Sequence, residues 1–152
     1  MFTLVPSDFF NPAAGREMLA EVCEIREGDV IGHKDIPQYG AVLIYRKDGD
    51  SDVLPDIYGM LQVLPECRDY NKILCSLKDG ILNLAIAQGK TLLLANYYRA
   101  EDFTTAEYYI FLALKSLQLN PEVSTISWMT PIGTEEEMSL YRYFKAVEHI
   151  CG

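Results

Sequence analysis

An α/β protein built on a mixed sheet is what this sequence predicts, and three observations predict it. From Lys72 to Tyr97 the chain reads as three consecutive strands, rich in Ile, Leu and Thr and broken at Asp79-Gly80 and Gln88-Gly89, where glycine tolerates the positive φ of a hairpin corner. Two later segments carry apolar residues at helical spacing behind Thr-x-x-Glu capping signals. Short apolar runs of strand type, Val123 to Trp128 and Val147 to Ile150, follow each of them.

Taken in order, Phe2 to Val5 is an apolar run ended by Pro6, a strand leaving a sheet. Ser7 to Phe10 is a turn, and Asn11-Pro12 pairs a capping residue with a proline at the first helical position. The spacing of Ala14, Met18, Leu19 and Val22 predicts a helix to about Val22, with Phe9 and Phe10 anchoring its start. Val30 to Ile36 is a strand with a polar middle. Ala41 to Tyr45 is an unbroken apolar run of the kind covered on both faces, and so the central strand of this half. Lys47 to Ser51 is a polar loop, after which Ser51 or Asp52 caps a helix to about Leu64 that Pro65 stops.

Beyond the meander, the box Thr104 to Glu107 starts a helix whose stripe is Ala106, Tyr109, Ile110, Ala113, Leu114 and Leu117, ended by Asn120-Pro121. The box Thr134 to Glu137 starts another, to about Phe144, presenting Met138, Tyr141 and Phe144. Three strands, helix, strand, helix, strand is the element order of a ribonuclease H-like unit. The expectation is a complete unit over about 70–152, with an antiparallel meander flanked by helices, packed against a partial related unit over about 1–69.

A chain of 152 residues, 49% hydrophobic and 23% charged, buries about two thirds of its unfolded surface and folds without staples. No apolar run reaches the roughly 20 residues of a membrane span, and no leader pattern opens the chain, which points to the cytoplasm. Cys23, Cys67, Cys75 and Cys151 form no close pair, and His33 and His149 are the only histidines, so reduced thiols and no metal site are expected. A net charge of −9 repels a phosphate backbone, which argues against nucleic acid.

No complete catalytic constellation is present. Gly89-Lys90-Thr91 matches the end of a P-loop, but the pattern needs glycine where Leu84 stands, and the tripeptide opens a strand rather than a helix. A ribonuclease H-type nuclease holds two metal ions with carboxylates inside its first and fourth strands; Ser76, Ser124 and Ser127 occupy those strands here. In an actin-like ATPase the first hairpin cradles phosphate, and a loop after a later strand contacts adenosine. Lys78, Asp79 and Gly80 stand at that hairpin and Thr130 and Gly133 in that loop, so they are candidate remnants of a nucleotide site, with ATP and magnesium the cofactors such a site would take. A two-residue turn and a strand-to-helix loop explain them as well. Glu101 and Asp102 are read as helix caps. Among the dense aromatics, Tyr97, Tyr98 and Tyr108 are candidate interface residues, although core packing also suits amphipathic rings.

Phe2-Thr3-Leu4-Val5-Pro6, the Ala41 to Tyr45 strand, Asn96-x-Tyr98, Tyr108-Tyr109 and Leu117-x-Leu119-Asn120-Pro121 together resemble the bacterial domain of unknown function 3822. The resemblance implies an actin-like ATPase fold of two ribonuclease H-like subdomains, with no established activity. It also implies a meander and helix ahead of the Phe2 to Pro6 strand, a longer region between Tyr45 and Lys72, and an Asp where Thr105 stands. Without the earlier meander, half of an interdomain nucleotide cleft lies outside this chain, and the first sheet has an unpaired edge open to a protein partner or a second copy. Two functions follow from different classes: a non-catalytic binding or scaffold protein, and an ATPase whose cleft is completed by a further segment or a second copy.

Overall fold

The computed structural model describes residues 1–47 and 53–150, so the polar loop after Lys47, the cap expected at Ser51 or Asp52, and Cys151 lie outside the described residues. The chain divides into two compact units, Met1–Tyr58 and Gly59–Gly152. Segment 59–69, read above with the first unit, therefore clusters with the second.

The first unit holds a three-stranded antiparallel sheet in the order β1-β3-β2, with β1 at Phe2–Pro6, β2 at Ile31–Ile36 and β3 at Ala41–Arg46. β3 is central because Ala41 to Tyr45 are apolar on both faces, and all five are buried. Val42 and Ile44 pack on Leu19 of helix α1, Gly15–Ala20. That helix is shorter than its apolar spacing predicts. Asn11 caps a 3-10 turn over Pro12–Ala14, its Oδ1 accepting the Ala13 N–H at 3.0 Å, and the six α-helical residues come only after it. The Val22 N–H closes on the Leu19 carbonyl at 3.1 Å, a tighter turn that leaves the Val22 side chain 63% exposed. Of the two expected anchors only Phe10 packs on the core; Phe9 is 75% exposed. Helix α2, Asp56–Val63, runs on into a 3-10 turn that contains Pro65.

In the second unit β4 (Asn71–Lys78), β5 (Ile81–Gln88) and β6 (Thr91–Arg99) form the expected meander. Helix α3 (Phe103–Ser116), β7 (Thr125–Trp128), α4 (Thr134–Tyr141) and β8 (Ala146–His149) follow. The sheet order is β6-β5-β4-β7-β8, with β4, β7 and β8 mutually parallel, which is the ribonuclease H-like arrangement. Asp79 (φ 53) and Gly80 (φ 74) make the first corner, both left-handed as a two-residue type I′ turn requires. The second corner is Gly89-Lys90, one residue later than expected, because Gln88 still pairs with Thr91. Leu93 is an extra residue bulged between Leu92 and Leu94, opposite Ala87 and Ile86.

Between the sheet and α3 lies the core: Ile73, Leu82, Leu84, Ile86 and Ile126 from the strands meet Ala106, Ile110 and Leu114 from the helix. Each fully buried aliphatic of this kind is worth about 1.5–3 kcal/mol. Both capping boxes fall in different places from those expected. Asp102, not Thr104, caps α3, accepting the Thr105 N–H at 2.7 Å. Gly133 caps α4, and Glu136 rather than Glu137 reaches back to its N–H at 2.9 Å. Met138 and Tyr141 are 61% and 52% exposed, while Leu140 and Phe144 are buried. The helix ends at Tyr141 and Phe144 enters the core from the turn beyond, so a helical stripe does not join them.

Candidate functional site

Ligands of open α/β sheets sit beyond the carboxyl ends of parallel strands. Here β4 and β7 run parallel with Cys75 opposite Trp128. Past that pair the Met129 N–H donates to the Cys75 carbonyl at 2.9 Å, and the Thr130 hydroxyl oxygen accepts the Leu77 N–H at 2.9 Å. Thr130 is thereby brought beside the end of β4 that leads into Lys78, Asp79 and Gly80. Lys78 and Asp79 are exposed at the turn. Gly133 takes a different role, its N–H turned back onto Glu136 at the start of α4.

The residue that sequence reasoning placed only as a cap, Glu101, lies against this turn. The Ala100 N–H donates to the Gly80 carbonyl at 2.8 Å, which lays residues 100–101 along the hairpin. Both Glu101 carboxylate oxygens stand 3.2 Å from where a Cβ on Gly80 would be. Counting pairs could not have revealed this, because from the second hairpin it sets Tyr98 opposite Ile81, and only the bulge at Leu93 brings Arg99 there and the next residues onto the turn. Asp102 does the capping alone, and the Thr105 backbone N–H holds its carboxyl below the usual range.

Negative charge at this turn opposes a nucleotide phosphate. Its charge would meet Glu101 at the turn, and the first turn of α4 carries Glu135, Glu136 and Glu137. Two unit charges about 4 Å apart repel by roughly 1 kcal/mol in water and by more in a partly enclosed site. Among the described residues no group of three or more His, Cys, Asp or Glu is placed to hold a metal ion. Beneath the site the Trp128 indole is buried, tilted on Phe103 at 5.7 Å, and its Nε1–H has no acceptor among the described residues.

The opposite, amino-terminal end of β4, β7 and β8 carries a dense polar cluster. Lys72 Nζ donates to the carbonyls of Cys67 and Asp69 at 2.5 and 2.6 Å. Asp69 accepts a hydrogen bond from the Thr125 hydroxyl and ion-pairs with Lys145 at 3.6 Å. The Thr125 hydroxyl, then Lys145, hold the Asp69 carboxyl low, while burial pushes the Cys67 thiol up despite its bond to Ser127. The enclosed cavity is about 10 Å³, room for one water at most, so this cluster ties the 67–72 segment to the sheet rather than admitting a ligand.

Of the candidate interface tyrosines, two come together. Tyr98 stacks on Tyr109 at 4.8 Å, and Tyr108 meets the same ring edge-on at 5.4 Å. Burial pushes the Tyr98 phenol up, and Tyr108 is 61% exposed. Tyr97 alternates to the other face of β6, and its N–H is taken by Asn96 Oδ1 at 2.8 Å. An open cavity of about 510 Å³ in the first unit, lined by Ile31 to Lys34, Tyr45, Lys47, Val53 and Leu54, was not foreshadowed by any motif.

The family model described as protein of unknown function (DUF3822) matches residues 59–147, from within α2 to the middle of β8. The chain belongs to the DUF3822 family. The matched span is the second unit almost to its ends. No curated protein matches the chain. Among solved structures this DUF3822 chain is similar to a Bacteroides thetaiotaomicron protein described as having an actin-like ATPase fold and unknown function, with a TM-score of 0.81 and 16% identity. The likeness covers 98% of this chain and 64% of that one, so this chain spans less than two thirds of its neighbour's length. It establishes the fold, that of the actin-like ATPases. No helix among the described residues is long and apolar enough to cross a membrane.

Proposed function

We propose that this DUF3822 chain is a non-catalytic binding or scaffold protein of the actin-like ATPase fold class, acting in the cytoplasm on a protein partner. One observation carries this: the carboxylate of Glu101 lies over the Gly80 turn, where a nucleotide-binding member of the fold class would place phosphate. The acidic first turn of α4 and the net charge of −9 add to the same repulsion, and they disfavour nucleic acid too. For the partner, the edge strands β1 and β2 each have one strand neighbour among the described residues, and such edges accept an added strand.

The alternative is an ATPase whose cleft is completed by a further segment or a second copy; the actin-like ATPase fold it shares with a longer neighbour, of which it covers 64%, favours this reading. Thermal unfolding with ATP and magnesium separates the two. A ligand at a hundred times its dissociation constant adds about 2.7 kcal/mol of stability. No shift is expected for the non-catalytic protein. A dose-dependent rise that disappears in Lys78→Ala would show nucleotide binding at this turn and overturn the first reading in favour of the second.

A further inference from the structure

We propose that the outer edge of β2 takes an extended segment of a partner protein, alternating acidic and apolar residues, as an added antiparallel strand; this rests on the protein-partner reading above. The Lys47 N–H donates to the Val30 carbonyl at 2.8 Å, and with the β2–β3 register that bond sets the alternation along the strand. Gly32, Lys34 and Ile36 turn their backbone groups to β3. Ile31, His33 and Asp35 turn theirs outward, and none of these N–H and carbonyl groups has a partner among the described residues. The other edges are blunted. On β1 the outward residues are Phe2, Leu4 and Pro6; Pro6 has no N–H, and the Cys23 thiol lies 3.9 Å from the Phe2 carbonyl. On β6 the Asn96 side chain takes the Tyr97 N–H at 2.8 Å, and β8 has four residues.

An added strand sends alternate side chains to opposite faces of the sheet, so pockets on both faces give it specificity. β2 has them. The open cavity of about 510 Å³ lies on the Gly32, Lys34 and Tyr45 face, and a second of about 270 Å³, walled by Pro12, Ala13 and Ile44, lies on the other. Both reach Gly32 and His33. Charge on the larger cavity selects the occupant. Lys34 and Lys47 share that face, and neither forms an ion pair among the described residues. A Cβ on Gly32 would stand 2.9 Å from Lys47 Cε and 2.8 Å from the Tyr45 ring, so the bare glycine lets both cross from β3 over β2. No strand residue on this face of the sheet is acidic, and Asp35 lies on the other. The net charge of −9 is screened over about 8 Å at physiological salt, so an acidic side chain seated in the cavity meets the two lysines. The smaller cavity takes its apolar neighbour.

A fluorescein-labelled peptide of sequence Thr-Val-Glu-Val-Glu-Val-Thr, titrated with the full chain and followed by anisotropy, is the probe. The expected result is a saturable rise, about tenfold weaker in Lys34→Glu and in Lys47→Glu, and absent when lysine replaces both glutamates of the peptide. Antiparallel addition sets the valine N–H groups against β2 and the glutamate N–H groups outward, so N-methylated valines should abolish binding and N-methylated glutamates should not. His33→Pro removes a central donor of the edge without touching a bond to β3 and should also abolish it; the peptide variants serve should that chain not fold. No saturable rise, equal binding of the lysine peptide, or N-methylation effects that do not alternate would overturn this edge, while the shift with ATP and magnesium tests the protein-partner reading separately. A dimer in sedimentation velocity that His33→Pro disperses would assign the edge to a second copy and overturn it too.

Discussion

Replacing Gly80 with Ala probes the turn on which the candidate site rests. Gly80 sits at φ 74 after Asp79 at φ 53, and an L-residue held in that region costs about 1–2 kcal/mol. The added Cβ would stand 3.2 Å from both Glu101 oxygens, but Glu101 is exposed and its carboxylate can swing aside, so the backbone accounts for most of the loss. At about 2–4 °C per kcal/mol for a chain of this length, the unfolding midpoint should fall by about 2–8 °C. Gly59 is the counterpart of opposite sign. It lies exposed inside α2 with nothing within 4 Å of an added Cβ, so Gly59→Ala should gain about 0.5–1 kcal/mol from helix propensity and a stiffer unfolded chain. Calorimetry and far-ultraviolet circular dichroism of the three proteins in one buffer give the comparison. A Gly80→Ala midpoint at or above that of the parent would refute the left-handed turn, and a Gly59→Ala midpoint below it would refute the helix-propensity gain. Should Glu101→Ala on top of Gly80→Ala restore most of the loss, the cost lies in the side-chain clash and not in the backbone.

The two partly buried carboxylates predict opposite pH behaviour. Asp69 is held below the usual range, first by the Thr125 hydroxyl, so its stabilisation is present above the unfolded-state value and is lost as pH falls through the folded one. Asp69→Asn should lower stability at neutral pH by about 0.5–1 kcal/mol and shallow the acid limb of a stability profile; an unaltered limb would count against the Thr125 contact. Glu107 is pushed up by burial, partly offset by Ser139, so the fold favours its protonated form more than the unfolded chain does, and that contribution fades as pH rises through the raised value. Glu107→Gln should therefore be slightly more stable than the parent in dilute neutral solution, an advantage that urea titrations should show vanishing in acid.

The second unit's sheet was legible because its signals are local. Asp79-Gly80 and Gly89 punctuate runs of strand formers, and the helix-strand-helix-strand order after them leaves one sheet topology to choose. Cap positions were less legible, since Asp102 and Thr104 both precede a Glu-bearing turn and only the bond from the Thr105 N–H decides between them. The α4 stripe misled because the helix stops at Tyr141, three residues before Phe144 reaches the core. What makes the candidate site is long-range. Thr130 meets Leu77 across 53 residues and Ser139 meets Glu107 across 32, contacts that no periodicity encodes. The open cavity of the first unit is invisible in sequence for the same reason.

Trp128 is the only tryptophan in the chain, is 1% exposed, and belongs to the second unit. Intrinsic fluorescence excited at the indole band will therefore be blue-shifted and shielded from aqueous quenchers while that unit stands, and it will be blind to the other. If the two units melt separately, emission and calorimetry should disagree on where unfolding begins, and the gap between them would measure how independently the first unit comes apart.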